Sequence, residues 1–169
     1  MTAIPTLTTE RLTLRAPRPE DHAAFARFYA SEQSRFVGGP MEPWESWRYL
    51  CGVIGHWAMR GFGRWIVEAE GRPVGLVGLH EPLDWPETEV GWYVWDGVGR
   101  GYAREAGRAA RAWAYEVLGR TTLVSMIAPG NAASVRVAEA MGAVRGDDYD
   151  HPRFGPLILY RHPGPEALA

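Results

Sequence analysis

The chain has 169 residues, 46% hydrophobic and 22% charged, with a formal net charge of −2 and a pI near 6.2. That length suits one compact domain with a full core, and the near-neutral charge leaves no electrostatic footprint for nucleic acid. The single cysteine excludes an internal disulfide framework, no apolar run reaches membrane-spanning length, and the first residues lack the basic and apolar regions of a signal peptide, so a cytoplasmic location is expected.

Leu12 and Leu14 alternate with Arg11, Thr13 and Arg15, which predicts a half-buried strand within Thr9–Ala16. Pro17 and Pro19 end it. Glu20 and Asp21 then open a helix whose apolar face is Ala24, Phe25, Phe28 and Tyr29. Ser31–Pro43 reads as a loop. A second helix is predicted from Trp44 to Arg60, with Trp47, Leu50, Ile54 and Trp57 at helical spacing. Cys51 lies near that face without an activating base, because His56 falls elsewhere on the helix. A buried, inert thiol is expected. Gly63–Glu70 and Pro73–Glu81 read as strands joined at Gly71-Arg72. Val74–His80 is apolar on both faces and therefore central. His80 is a site residue or a tucked-in side chain, with the second reading preferred.

The most informative stretch is Glu89–Ala106. Val90, Trp92 and Val94 alternate with Glu89, Gly91 and Tyr93 as in a strand, and Asp96-Gly97 breaks it. From Tyr102 the period becomes helical, with Ala106, Ala109, Ala110, Trp113, Ala114, Val117 and Leu118 on one face. Gly99-Arg100-Gly101 joins the two. A glycine turn into a helix leaves backbone N–H groups free at the positive end of the helix dipole, which suits phosphate; the plain alternative is a tight turn. The dinucleotide pattern G-x-G-x-x-G fails at Tyr102 and Arg104, and the P-loop fails because Gly-Lys is absent.

Leu123–Ala128 is a predicted strand, and Pro129-Gly130 turns the chain. Asn131 caps a helix carrying Val135, Ala138 and Met141, which Gly142 ends. Ala143–Tyr149 and Phe154–Tyr160 form a closing hairpin around a turn at Asp147–Pro152, and His162–Ala169 is expected to fray. The element order is βααβββαβαββ, an α+β arrangement rather than a doubly wound one.

Val98–Ala103, followed by Arg104-Glu105-Ala106 and preceded by Glu89–Trp92, resembles the acyl-CoA pyrophosphate loop of the GNAT N-acetyltransferases, Q/R-x-x-G-x-G/A, with Val98 in the opening position. Asn131–Gly142 resembles that family's second signature, N-x-x-S-x-R/K, followed by a hydrophobic helix and glycine. The opening T-x-R-L-x-L-R-x-P-x-x-x-D, from Thr9 to Asp21, resembles the branch containing the ribosomal-protein-alanine N-acetyltransferases. The resemblance covers residues 8–161 as a single domain, leaving 162–169 as a tail.

The resemblance implies the GNAT fold, a mixed and mostly antiparallel sheet flanked by helices. It implies acetyl-CoA in a gap between the fourth and fifth of the expected strands. The pyrophosphate would rest on Gly99, Arg100, Gly101, Tyr102 and Ala103, and the pantetheine arm along the backbone of Trp92, Tyr93 and Val94. Asn131 and Ser134 would lie at the thioester end, with Arg136 as a further contact. The implied reaction is direct acetyl transfer in a ternary complex to a primary amine, on a protein N-terminus or a small molecule. It needs no metal, and the enzyme would be a monomer or homodimer.

An attacking amine must be neutral, so a base assists. Glu89 is the candidate, against a purely structural strand-end carboxylate. Many GNAT enzymes carry a tyrosine seven residues after the asparagine; here it is Ala138. Ser134 is the remaining proton donor for the thiolate, against its release unprotonated. The missing tyrosine also leaves open a catalytically silent acyl-CoA sensor, and the tryptophans a plain interaction domain. The acceptor pocket is expected between the Ser31–Pro43 loop, the start of the second helix and the Asp147–Pro152 turn. There Asp147, Asp148 and Asp150 would favour a cationic amine or form a solvated acidic turn.

Overall fold

In the computed structural model, which describes residues 3–168, eight strands form one sheet. They are β1 (Leu7–Thr8), β2 (Leu12–Arg15), β3 (Arg64–Ala69), β4 (Arg72–His80), β5 (Glu89–Val94), β6 (Val124–Ile127), β7 (Val144–His151) and β8 (Gly155–Arg161). Their order across the sheet is β1-β2-β3-β4-β5-β6-β8-β7, antiparallel throughout except for the parallel β5–β6 pair. Four α-helices flank it: α1 (His22–Tyr29), α2 (Pro43–Arg60), α3 (Tyr102–Glu116) and α4 (Ala132–Ala140). The fold is the α+β one expected, with one addition. A two-residue strand, paired through Leu7↔Leu14, precedes the first predicted strand, so the order is ββααβββαβαββ. So short a segment has no periodicity to betray it.

Two clusters cover the two faces. Leu14, Trp65, Val77 and Val90 pack against Ala106, Ala110 and Ala114 of α3, whose small side chains let the helix lie close to the sheet. On the other face Ile66 and Leu76 meet Phe25, Leu50 and Val53 of α1 and α2. Burying each large aliphatic side chain contributes about 1.5–3 kcal/mol, enough to fix the helices on their faces.

Four expectations are corrected. The buried stripe of α2 is Ser46, Leu50, Val53 and Trp57, so Trp47 is 43% exposed and Ile54 is only half-buried. Ser46 goes inward, its hydroxyl donating to Pro43 O and meeting His22 Nε2, so Ser46 and Val53 take the inward places expected of Trp47 and Ile54 while Leu50 and Trp57 are buried as expected. Cys51 is consequently exposed rather than buried. Residues 147–151 are strand, not turn; Asp147, Asp148 and Asp150 are exposed on β7, and the chain reverses at 152–154. A sheet-edge strand facing water carries polar residues and so reads like a turn. Finally, His162 does not fray: it is buried, and its N–H donates to Leu123 O at 3.0 Å.

Candidate active site

The glycine turn lies beyond the end of β5. Gly97, Gly99 and Gly101 all have φ between +70° and +88°, a region in which side chains are strained. A Cβ at Gly99 would meet no atom within 4 Å, so the turn is open on that side, while Gly97 packs on the Tyr102 ring and Arg100 N–H donates to Gly97 O at 3.0 Å. Gly101 is the N-cap residue of α3, whose first N–H groups have no partner within the helix. Arg11, just ahead of β2, braces the turn: Nη1 donates to Arg100 O at 3.0 Å, and Nε donates to Glu105 Oε2 at 2.7 Å. Burial pulls the Glu105 carboxyl up, but hydrogen bonds from Thr9 Oγ1 and Arg11 outweigh it and hold the group below its ordinary range. A Cβ at Gly101 would lie 3.5 Å from Arg11 Nη2 and 4.0 Å from Arg104 Nη2. The turn therefore combines free donors, a helix dipole and cations, the chemistry a pyrophosphate requires.

From this turn β5 runs back to a fork. β5 and β6 share a single register pair, Glu89↔Val124, and then part. Side chains close the fork where the ladder stops. Ser125 Oγ donates to Val90 O at 2.5 Å, and Met126 N–H donates to Glu89 Oε1 at 3.3 Å. With its own proton so used, Ser125 Oγ accepts from His162 Nε2 at 2.9 Å, and His162 Nδ1 accepts from Arg111 Nη1 at 3.4 Å. Burial, with help from Arg111, lowers the His162 pKa to about 4, which keeps the imidazole neutral and this chain of donors intact. Because Val90 O faces the gap, strand alternation puts the backbone groups of Trp92 and Val94 on the same open edge.

A cleft of about 650 Å³ opens at the fork. Glu89, Trp92, Tyr93, Ser125, Asn131 and Ser134 all line it. Asn131 caps α4, accepting from Ser134 N–H at 3.2 Å. On the α1/α2 side the wall comes from Phe36 and Met41 of the loop, Tyr49 of α2, Trp85, and Arg153 and Phe154 beside the final turn.

The floor on that side is Arg64. It is 4% exposed, and its register partners across the sheet are Gly78 and then Gly91, so no side chain stands in the path of its guanidinium. Nη1 donates to Tyr49 Oη at 2.8 Å, the guanidinium carbon sits 4.8 Å from the centre of the Tyr93 ring, and Nη2 lies 3.7 Å from Glu89 Oε2. The Tyr49 and Tyr93 hydroxyls are 3.2 Å apart. Glu89 is 6% exposed and accepts from Trp85 Nε1 at 3.0 Å. Burial raises its pKa; Arg64, Met126 N–H and Trp85 restrain the rise. His80 also lines the cleft, stacked on His56, and burial pushes its pKa far down, so it stays neutral.

The structure thus gathers Glu89, Trp92, Tyr93, Asn131 and Ser134 in one cleft and sets Gly99–Ala103 at the end of the strand that walls it. Arg136 is exposed on α4 and lies outside the cleft lining, as does Val94. Sequence reasoning missed Arg11, Tyr49, Arg64, Ser125 and His162. Only one signal was available: Gly78 and Gly91 sit inside strands, where glycine marks a close approach. Among the described residues no cluster of His, Cys, Asp or Glu is arranged to hold a metal, and no helix is long and apolar enough to cross a membrane.

A family profile described as an acetyltransferase (GNAT) domain matches residues 11–144. An acetyltransferase from Agrobacterium tumefaciens is 38% identical, with a TM-score of 0.87 and 96% of each chain covered. A putative GnaT-family acetyltransferase from Bordetella pertussis is 24% identical, with a TM-score of 0.78 over 94% of this chain and 99% of that one. A ribosomal L7/L12 α-N-protein acetyltransferase, solved in complex with coenzyme A, shares the fold at 14% identity, with a TM-score of 0.77 over 94% and 97% of the two chains.

Proposed function

The chain belongs to the GNAT acetyltransferase family, and from that premise we propose that it transfers the acetyl group of acetyl-CoA to a primary amine by direct attack in a ternary complex. The observation that carries this reading is the fork. Two parallel strands part after one pair, leaving an open backbone edge between an anion-binding turn and a buried carboxylate.

In this reading Gly99, Arg100, Gly101, Tyr102 and Ala103 hold the pyrophosphate, with Arg11 bracing them. The edge of Trp92–Val94 receives the pantetheine arm, and Asn131 and Ser134 lie toward its thioester end. Arg136, exposed outside the cleft, is left the role of an outer contact. Bound acetyl-CoA supplies an activated thioester carbonyl. Glu89 takes the proton of the incoming amine; a carboxylate raised by burial is a better acceptor than a solvated one. A free strand N–H near Val94 donates to the carbonyl oxygen as negative charge develops. Ser134, which lines the cleft, supplies the proton to the departing sulfur. The exposed, unpaired Cys51 suits a reducing compartment, the cytoplasm in this reading.

Ala138 favours one second reading. It is fully buried in the core and offers no proton donor, and a silent acyl-CoA-binding protein would need none there. Free-thiol release from acetyl-CoA across a panel of amines separates the two. Release that depends on an amine supports transfer. A melting temperature raised by acetyl-CoA with no release from any amine would establish the silent binder.

A further inference from the structure

The cleft presents charges of a particular kind and spacing. Of the two readings of Asp147, Asp148 and Asp150, the solvated one holds: all three are exposed on β7 and absent from the cleft lining. Arg35, Arg64 and Arg153 line the cleft instead. Arg153 is matched by Asp84 at 2.7 Å, and Arg35 lies exposed near the mouth. Arg64 differs from both. It is buried, its Nε has no hydrogen-bond partner, and the carboxylate nearest to Nη2 is Glu89 Oε2, at 3.7 Å, beyond hydrogen-bonding distance. Leaving guanidinium donors unused in a buried place costs free energy unless a ligand takes them.

A second, independent observation concerns the space above this pair. Gly91 has no positive φ, so its backbone does not require glycine. A Cβ at this position would lie 3.4 Å from Arg64 Nη2 and 3.6 Å from Glu89 Oε1. Its absence keeps both charged ends open to the cleft. A carboxylate and a guanidinium held side by side match a ligand that carries an amine and a carboxylate on neighbouring atoms. The apolar wall around them, from Phe36, Met41, Trp85 and Phe154, suits an apolar side chain.

We infer that the acceptor is a free α-amino acid with an apolar or aromatic side chain, its carboxylate received by Arg64 and its amine by Glu89. The inference rests on the acetyl-transfer reading and selects a small-molecule acceptor over a protein N-terminus, whose first residue has its α-carboxyl tied up in a peptide bond. Glu89 keeps acceptor capacity beside its bonds from Trp85 and Met126 N–H, since a carboxylate has about four lone-pair sites. In the reaction the amine nitrogen bonds to the acetyl carbon as the carbon–sulfur bond breaks. The amine's proton passes to Glu89, and the sulfur leaves with its electron pair and is protonated through Ser134, which recovers its proton from water, so coenzyme A departs as the thiol. The product is an N-acetyl amino acid.

The test compares phenylalanine with phenylalaninamide and a tripeptide beginning with phenylalanine, by thiol release and by the melting temperature of the coenzyme A-saturated protein. The amide keeps the amine and the ring and lacks only the carboxylate. Its amine is also less basic, so at neutral pH more of it is unprotonated, and a preference for the acid there does not come from a larger supply of neutral amine. The expected kcat/KM preference for phenylalanine is roughly 10²-fold, the scale on which losing a hydrogen bond to a charged group weakens an interaction. Arg64→Gln should erase that preference, and Arg64→Lys should restore part of it. If Arg64→Gln does not fold, Gly91→Ala carries the test, raising KM for phenylalanine by roughly tenfold with less effect on the amide. Preference for the amide or the tripeptide would overturn the inference and leave acetyl transfer standing. A melting shift from phenylalanine but not from the amide, without thiol release from any amine, would support this site and overturn the transfer reading. No shift and no turnover with phenylalanine, or a Gly91→Ala protein that treats both ligands as the parent does, overturns the inference.

Discussion

The glycine turn and the Arg64 floor sit at opposite ends of β5 and are built in opposite ways. The turn is backbone chemistry. Its donors come from one short stretch, residues 99 and 101–104, and its demand is local: glycines at positive φ ahead of a helix. The floor is side-chain chemistry gathered from afar. Arg64 comes from β3, Tyr49 from α2, Glu89 and Tyr93 from β5 and Trp85 from the preceding loop, and only sheet register brings them together. A site made of backbone tolerates varied side chains around it, whereas a site made of converging side chains fails when one member is lost. The expected effects of substitution separate accordingly.

The largest effect is expected at the floor. Glu89→Gln keeps the shape and the bond from Trp85 but removes the proton acceptor. Turnover should fall by roughly 10²–10⁴, with recovery at high pH as more amine is neutral in solution. A Glu89→Gln protein as active as the parent from about pH 6 to 9 would make Glu89 a purely structural carboxylate at the fork.

Next comes the seam between the two regions. His162 is neutral in the fold, with its pKa lowered to about 4 by burial first and Arg111 second. An unfolded histidine titrates near 6.5. Since the folded value is the lower one, this contribution to stability is complete above about pH 6.5 and is lost as pH falls through about 4, a swing of about 3 kcal/mol. His162→Gln can still donate to Ser125 and does not titrate, so its melting temperature should fall less over that window. Parallel acid curves for the two proteins would show that His162 does not govern the fork.

At the turn, acetyl-CoA at about 100 times its dissociation constant should stabilise the protein by about 2.7 kcal/mol through mass action. Gly101→Asp should abolish the rise in melting temperature, because the new carboxylate lies beside Arg11 and Arg104 and repels phosphate. A folded Gly101→Asp protein that binds as well as the parent would remove the cofactor from the turn. Arg11→Gln should do much less. Its side chain is 45% exposed and braces the turn rather than forming it, so affinity for acetyl-CoA should weaken by roughly fivefold, measured by calorimetry.

The smallest effect is expected at Cys51. The thiol is exposed on α2 and is absent from the cleft lining. Cys51→Ala should keep full turnover, and mass spectrometry of the protein with acetyl-CoA alone should find no acetyl group on Cys51. A stoichiometric acetyl-cysteine would replace direct attack with a two-step route.

The sequence by itself determined whatever depends on neighbours along the chain. The switch from strand to helix period across Gly99–Gly101 located the turn, and the Asn131 cap located α4, because dihedral demands and capping act over a few residues. The alternation at Val90 and Trp92 found β5 for the same reason. Tertiary structure alone decided the rest. Polar alternation could not distinguish a turn from the exposed edge strand that carries Asp147, Asp148 and Asp150, since both face water. Helical spacing placed the face of α2 only to within one residue, and Ser46 bonding across to α1 chose which side went in. Arg64 read as one more charge at the start of a strand. Its role appears only when three strands align it with Gly78 and Gly91, because a glycine inside a strand marks a close approach without saying which side chain from another strand makes it.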